Sequence, residues 1–205
     1  MSPNSPPELP SDSNRPSRRR ASHPQRRLAS SSNSAGVPRR FRTIPSFDAL
    51  ETKALRAASV EFLGGALMIH GDTANNVIEV STLDNGRIEV VVDGETRTAP
   101  GGGPLAAEVV ELRVLGKAGR DLIDLSKVTG LPDNALVVLD GGQDADTLLG
   151  SIAAERILGG SGDDVIDAGD GDDTIFGGSG DDSIEGGLGD DYIESSDGND
   201  TLSGG

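Results

Sequence analysis

The sequence predicts an all-β fold of stacked nonapeptide repeats, preceded by short irregular strands with a hairpin and by a disordered N-terminal arm. Three features carry this. From Gly159 to Ser203 the chain runs GGSGDDVID, AGDGDDTIF, GGSGDDSIE, GGLGDDYIE, SSDGNDTLS, with glycine fourth, aspartate sixth and an aliphatic residue eighth in every copy. Self-similarity at a fixed short period marks a stacked-repeat architecture. Aromatic residues make up 2% of the chain, Trp and Cys are absent, and glycine numbers 29. No thick core is therefore available, and each repeat can bury only one or two aliphatics against its neighbours. Upstream of the repeats, apolar and polar residues alternate with the period of a half-buried strand.

At the N-terminus, residues 1–45 form a basic arm rich in Pro, Ser, Asn and Arg. It has too few aliphatics to offset its ordering entropy, so it is expected to be disordered. Up to Arg42 there are nine basic residues against Glu8 and Asp12, a net charge of +7; the remainder carries nine basic and 32 acidic residues, a net charge of -23. A solvated basic tail is the favoured reading of the arm, with contact to nucleic acid or anionic lipid as the other. Residues 46–58 form a linker or export-type segment. Within it Phe47 to Ala57 reads as a short amphipathic helix with Phe47, Leu50 and Ala54 on one side. No run approaches the ~20 apolar residues of a membrane span. Ala57 to Ile69, the best apolar stretch, is interrupted by Glu61 and a glycine pair and does not form a standard secretory signal. Arg39-Arg40 before Phe41 is a partial twin-arginine pattern.

Residues 59–140 are expected to be β-rich. Asn76 to Thr82 and Arg87 to Val92 alternate around Asp84-Asn85-Gly86, and Asn-Gly supplies the positive φ values of a tight hairpin turn. Ile78 and Val80 should then share a face with Ile88 and Val90 or Val92. Pro100 to Pro104 forms a loop, and strands follow at Glu108 to Leu115 and Asn134 to Asp140. Degenerate repeats tie this region to the tail. Gly116…Asp121-Leu-Ile123 keeps glycine, aspartate and aliphatic at their offsets, while Gly71…Asn76-Val-Ile78 has Asn for Asp. Gly141…Asp146-Thr-Leu148 and Gly150…Glu155-Arg-Ile157 lead in phase into Gly159, so the regular repeat is read over residues 141–205.

The residues of the repeat specify a turn followed by a very short strand. Glycine at the first, second and fourth places admits backbone conformations closed to other residues and lets a ligand approach the main chain. The x-Asp-x-Ile-x that follows is extended, with the aliphatic facing inward. Two repeats make one coil with a turn on each side. Burying each Ile contributes about 1.5–3 kcal/mol, whereas fixing each residue costs about 1–2 kcal/mol of backbone entropy. Hydrophobic burial alone loses that comparison. Stacking the turns also brings like charges together, since Arg156 is the single basic side chain between Gly141 and Gly205. A hard divalent cation between same-side turns reverses the sign of that effect, because carboxylates and turn carbonyls are the oxygen ligands Ca²⁺ accepts in flexible geometry. Mg²⁺ requires stricter octahedral sites, and transition metals favour Cys or His.

These glycine-rich nonapeptides resemble the repeats-in-toxin (RTX) family, the hemolysin-type calcium-binding repeat, over residues 141–205. The resemblance implies a right-handed parallel β-roll, or β-solenoid, with several Ca²⁺ ions held between turns two repeats apart. The implied ligands are the sixth-place Asp146, Asp164, Asp173, Asp182, Asp191 and Asp200, with the turn glycines Gly160, Gly162, Gly171, Gly178, Gly180, Gly187 and Gly189. The implied pairs are Asp164 with Asp182, Asp173 with Asp191, Asp182 with Asp200, and Asp146 with Asp164. Ile152-Ala153-Ala154 departs from the pattern and weakens a Glu155–Asp173 pair, and Ala168, Ser195 and Ser196 loosen their turns. Fifth-place Asp163, Asp172, Asp181, Asp190 and Asn199 are read as turn-shaping. Near the N-terminus, an Arg-rich start followed by Phe47, Leu50, Glu51, Lys53 and Leu55 resembles the leader common on exported and cell-surface proteins of planctomycete bacteria.

No catalytic set accompanies these features. His23 lies in the arm and His70 reads as a strand-end residue; there is no H-E-x-x-H, no G-x-S-x-G and no phosphate loop, as Gly101-Gly-Gly-Pro lacks the following Lys. The expectation is a non-catalytic calcium-binding protein, secreted or displayed at the cell surface, with cell-surface components as candidate partners and no small-molecule substrate. An accessory or remnant module of a secreted hydrolase or toxin is the alternative. Acidity argues against nucleic acid as a partner of the folded part.

Overall fold

In the computed structural model of the chain, residues 58–97 and 103–205 are described, all within the unit Ile44–Gly205. The arm of residues 1–45, the helix expected at 47–57 and most of the loop at 100–104 lie outside the described residues.

Among the described residues the structure is all-β apart from one 3-10 turn, Ala106–Glu108. The strands are β1 (Ser59–Leu63), β2 (Ala66–His70), β3 (Val77–Thr82), β4 (Ile88–Val92), β5 (Glu95–Thr96), β6 (Glu111–Ala118), β7 (Leu122–Lys127), β8 (Leu136–Gln143), β9 (Thr147–Leu149), β10 (Glu155–Ser161), β11 (Val165–Asp167), β12 (Thr174–Ser179), β13 (Ser183–Glu185), β14 (Tyr192–Glu194) and β15 (Thr201–Ser203). They form two sheets, ordered β1-β2-β6-β8-β10-β12-β14 and β15-β13-β11-β9-β7-β3-β4-β5. From β6 onward each strand lies in the opposite sheet to the one before it, and same-sheet neighbours pair in parallel. The antiparallel pairs sit at the other end: β1 on β2, and β4 between β3 and β5. These hairpins cover the edges of the first two parallel strands, which would otherwise offer unpaired backbone groups.

The register shows how irregular sequence and regular repeat share one architecture. In the first sheet Ala66 aligns with Glu111 and Glu111 with Leu136, while in the second Val77 aligns with Leu122 and Leu122 with Thr147. Successive circuits therefore shorten in step in both sheets, until they settle at the two-repeat length that aligns Val137 with Glu155. The passage from first to second sheet keeps its length throughout. All extra chain lies on the return: the β4–β5 hairpin and 3-10 turn in one circuit, and residues 128–135 in the next.

Two columns of aliphatics run between the sheets. Ile69, Val114, Leu139, Ile157 and Ile175 are aligned on one, and Ile78, Ile123, Leu148, Ile166 and Ile184 on the other, all buried in one cluster. The eighth-place residues therefore face inward as their spacing requires. The expected hairpin forms with Thr82 opposite Ile88 and Val80 opposite Val90, and its inward residues Ile78, Val80, Ile88, Val90 and Val92 are buried. The strand expected at Glu108–Leu115 starts later, at Glu111, because Ala106–Glu108 winds into the 3-10 turn instead. His70 ends β2, as expected for a strand-end residue. In the last circuit Ile193 is only partly buried and Leu202 is 49% exposed.

Candidate metal centre

The sixth-place carboxylates line up in two ladders, one on each side of the stack. On the side where the chain passes from first to second sheet, each Oδ1 accepts a hydrogen bond from the backbone N–H of its counterpart one circuit earlier. Asp146 N donates to Asp164 (2.8 Å), Asp164 N to Asp182 (3.0 Å) and Asp182 N to Asp200 (3.0 Å). Above them Asn76 N donates to Asp121 and Asp121 N to Asp146, both at 2.7 Å. On the return side Glu155 N donates to Asp173 (2.8 Å) and Asp173 N to Asp191 (3.0 Å). Each pair that the resemblance implies is joined by such a hydrogen bond, and Glu155 joins Asp173 despite its irregular turn.

The second oxygen of these carboxylates has a different fate. Oδ2 of Asp121, Asp146, Asp164, Asp173 and Asp191 and Oε2 of Glu155 are buried and accept no hydrogen bond from any protein group. Asp164 as a whole is only 1% exposed. A buried anionic oxygen with no donor is costly. Burial accordingly pushes the carboxyls up: Asp146 to about 7, Asp164 and Asp173 to about 6, and Glu155 to about 8, with neighbouring carboxylates on the ladder adding to the rise.

Glycine at the first place creates the space these oxygens face. A Cβ on Gly159 would run into both Asp164 Oδ2 and Gly177 O, and one on Gly141 into Asp146 Oδ2 and Gly159 O. A carboxylate oxygen and a carbonyl of the next circuit thus border one small volume. Among the described residues no three acidic, His or Cys side chains converge into a metal cluster. A cation on the ladder would therefore take part of its shell from turn carbonyls, which suits Ca²⁺ better than metals that seek nitrogen or sulfur.

Residues 149–184 and 177–205 match the sequence model of the RTX calcium-binding nonapeptide repeat, a block of four copies. The C-terminal stretch is made of RTX repeats. No curated protein and no solved structure matches the chain. Calcium binding by the RTX repeats agrees with the oxygen-only donor set of the ladders.

The RTX turns hold their glycines in left-handed or related conformations. Gly160, Gly162, Gly171, Gly178, Gly180, Gly187 and Gly189 all have φ between 96° and 142°. At Gly178, φ is 110° and a Cβ would run into the carbonyl of Gly160 in the preceding circuit, so this residue is required both by conformation and by close approach.

Two features, expected only to shape or loosen turns, link one circuit to the next instead. The fifth-place residues form two outer ladders, one on each side, running the opposite way: Asp181 N donates to Asp163 Oδ1 (2.9 Å) and Asn199 N to Asp181 (2.8 Å) on one side, and Asp190 N to Asp172 (3.0 Å) on the other. The strict two-repeat offset between these polar residues was a signal for them. Ser195 is the other. Standing where earlier repeats on this side have glycine, it donates its hydroxyl to Asp182 Oδ2 at 3.0 Å, so the Asp182–Asp200 rung is satisfied by a side chain.

Proposed function

We propose that the protein is a non-catalytic, calcium-stabilised right-handed β-roll, exported or held at the cell surface, in which residues 141–205 fold as they take up Ca²⁺. The observation that carries this reading is the run of buried carboxylate oxygens without a donor; those of Asp121, Asp146, Glu155, Asp164 and Asp191 each lie beside a first-place glycine and a carbonyl of the next circuit, while at Asp173 that place is held by Ala168. Asp146, Asp164, Asp173 and Asp191 would hold the ions through Oδ2, with several ions shared between turns two repeats apart. When bound, Ca²⁺ supplies the charge that lets these carboxylates stay ionised while buried. Asp182 contributes less, because Ser195 already engages its Oδ2. The chain's own part is to fix the carboxylates through their Oδ1 bonds and to keep side chains out of the adjoining space. An extracellular setting suits such sites, because extracellular Ca²⁺ modules bind with Kd of about 10⁻⁴–10⁻³ M. Among the described residues no helix is long and apolar enough to cross a membrane.

Far-ultraviolet circular dichroism of the chain in EDTA and in millimolar Ca²⁺ tests this. The expected result is a gain of β signal on adding Ca²⁺ that Mg²⁺ does not reproduce. Superimposable spectra would reject calcium-coupled folding.

A further inference from the structure

The ladder does not stop where the RTX match begins at residue 149. Asp121 lies well before that point, yet it is 3% exposed, its Oδ1 accepts the N–H of Asn76, and its Oδ2 is buried without a donor. A Cβ on Gly116 would run into Asp121 Oδ2 and Gly141 O, the same two kinds of atom that meet beside Gly159. The turn backbone is kept even without glycine. Lys117 aligns with Gly142 and adopts φ of 85°, and Asp144, at the fourth place of its own repeat, adopts 72°. Such angles are uncommon for side-chain-bearing residues, so the packing of the turns imposes them. The circuits here are longer than two repeats, but every insertion lies on the return side, and the turn that carries Asp121 is not lengthened.

One circuit earlier the pattern closes. Asn76 replaces the aspartate, and its Oδ1 accepts the N–H of Asp72 at 2.8 Å. Its Nδ2 faces Asp72 Oδ1 and Asp93 Oδ2 at 3.4 and 3.3 Å. The Lys117 ammonium donates to Gly71 O at 2.6 Å. Amide and ammonium donors there provide what a cation provides below.

We propose that Asp121, with the carbonyl of Gly141, forms a further Ca²⁺ site outside the matched RTX repeats, and that Asn76 and Lys117 terminate the ladder of ions above it. Asp72, Asp93 and Asp144 lie close enough to add negative charge around Asp121, which favours a divalent cation over a monovalent one. The inference rests on calcium binding by the repeats themselves, and the test separates the two.

Bound Ca²⁺ is counted on the full chain by equilibrium dialysis for the unmodified protein and for Asp121→Asn, which keeps the shape and the Oδ1 acceptor. The expected result is one ion fewer in the variant. If the unmodified chain binds no Ca²⁺, the reading of the repeats fails and this one with it. If it binds Ca²⁺ and Asp121→Asn binds the same number, the repeats stand and the Asp121 site is rejected. Should the variant not fold, a crystal structure of the unmodified chain grown in Ca²⁺ decides. An ion between Asp121 Oδ2 and Gly141 O supports the site, and an ion beside Asp164 with none beside Asp121 overturns it.

Discussion

The strands before residue 136 and the circuits after it use the same two sheets but bury different amounts of apolar surface. In the earlier part β2, β3, β6 and β7 each contribute two inward aliphatics, such as Leu67 and Ile69, Ile78 and Val80, or Leu112 and Val114, and the β4 hairpin adds Ile88, Val90 and Val92. From Glu155 to Glu185 each strand contributes one fully buried aliphatic: Ile157, Ile166, Ile175 and Ile184. In the first sheet Glu155 takes the place of the second aliphatic, aligned with Val137. The earlier part has the side chains of an ordinary core, whereas the later part has fewer of them and a column of buried carboxylates. The turn on one side and the aliphatic columns thus set the fold, while what stabilises a circuit can change along the stack from hydrocarbon to bound charge.

Substitutions at glycine should separate the two regions most strongly. Gly178→Ala is expected to cost about 3 kcal/mol, because it forces an alanine to positive φ and onto the backbone of the preceding circuit. Gly86→Ala, in the hairpin turn with nothing within 4 Å of its new methyl group, should cost about 1–2 kcal/mol from conformation alone. Urea denaturation in Ca²⁺ checks both, and equal losses would contradict the close-packed turn.

A change of carboxylate should act with opposite sign according to calcium. Asp164→Asn removes the anionic Oδ2 while retaining Oδ1 for the N–H of Asp146. In Ca²⁺ it is expected to lose about 1–3 kcal/mol, as a charged contact is lost. In EDTA it is expected to shift the far-ultraviolet circular dichroism of the repeats toward the folded signal, because a desolvated charge that opposes folding disappears. Asp163→Asn, on the exposed outer ladder, should stay within about 0.5 kcal/mol in both conditions.

The effect of pH also changes sign between states. Without calcium, Asp146, Asp164 and Asp173 have folded values of about 7, 6 and 6, against about 3.9 for an unfolded aspartate. The folded state then binds protons more tightly. Its stability is highest below pH ~4 and declines as pH rises through ~4 to ~7. Far-ultraviolet circular dichroism in EDTA should show more β signal at pH 5 than at pH 8. In saturating Ca²⁺ the order should reverse, as protons compete with the ion.

Much of this was legible in residues alone. Gly, Asp and Ile at fixed places specified a turn, a facing carboxylate and an inward aliphatic, and Asn85-Gly86 specified the hairpin. Even the loose copies at Gly116–Asp121 and Gly71–Asn76 sit on the ladder where their offsets put them. What sequence did not disclose depends on neighbours a whole circuit away. The opposite direction of the Asp163–Asp181 ladder and the hydroxyl of Ser195 beneath Asp182 are contacts between circuits, invisible to any local pattern. The late start of β6 has a similar origin: Ala106 and Val109 are buried against the core, and their contacts outweigh the strand character of the flanking residues.

Whether calcium is part of the core of the repeats can be decided by hydrogen exchange of the two regions in one sample. In Ca²⁺, amides of residues 66–92 and of residues 141–205 should both be protected. On chelation, those of 141–205 should exchange at the rate of an unfolded chain while 66–92 keep their protection. Unchanged protection of 141–205 in EDTA would show that the repeats stand on their hydrocarbon and hydrogen bonds alone, and would contradict a structural role for the ion.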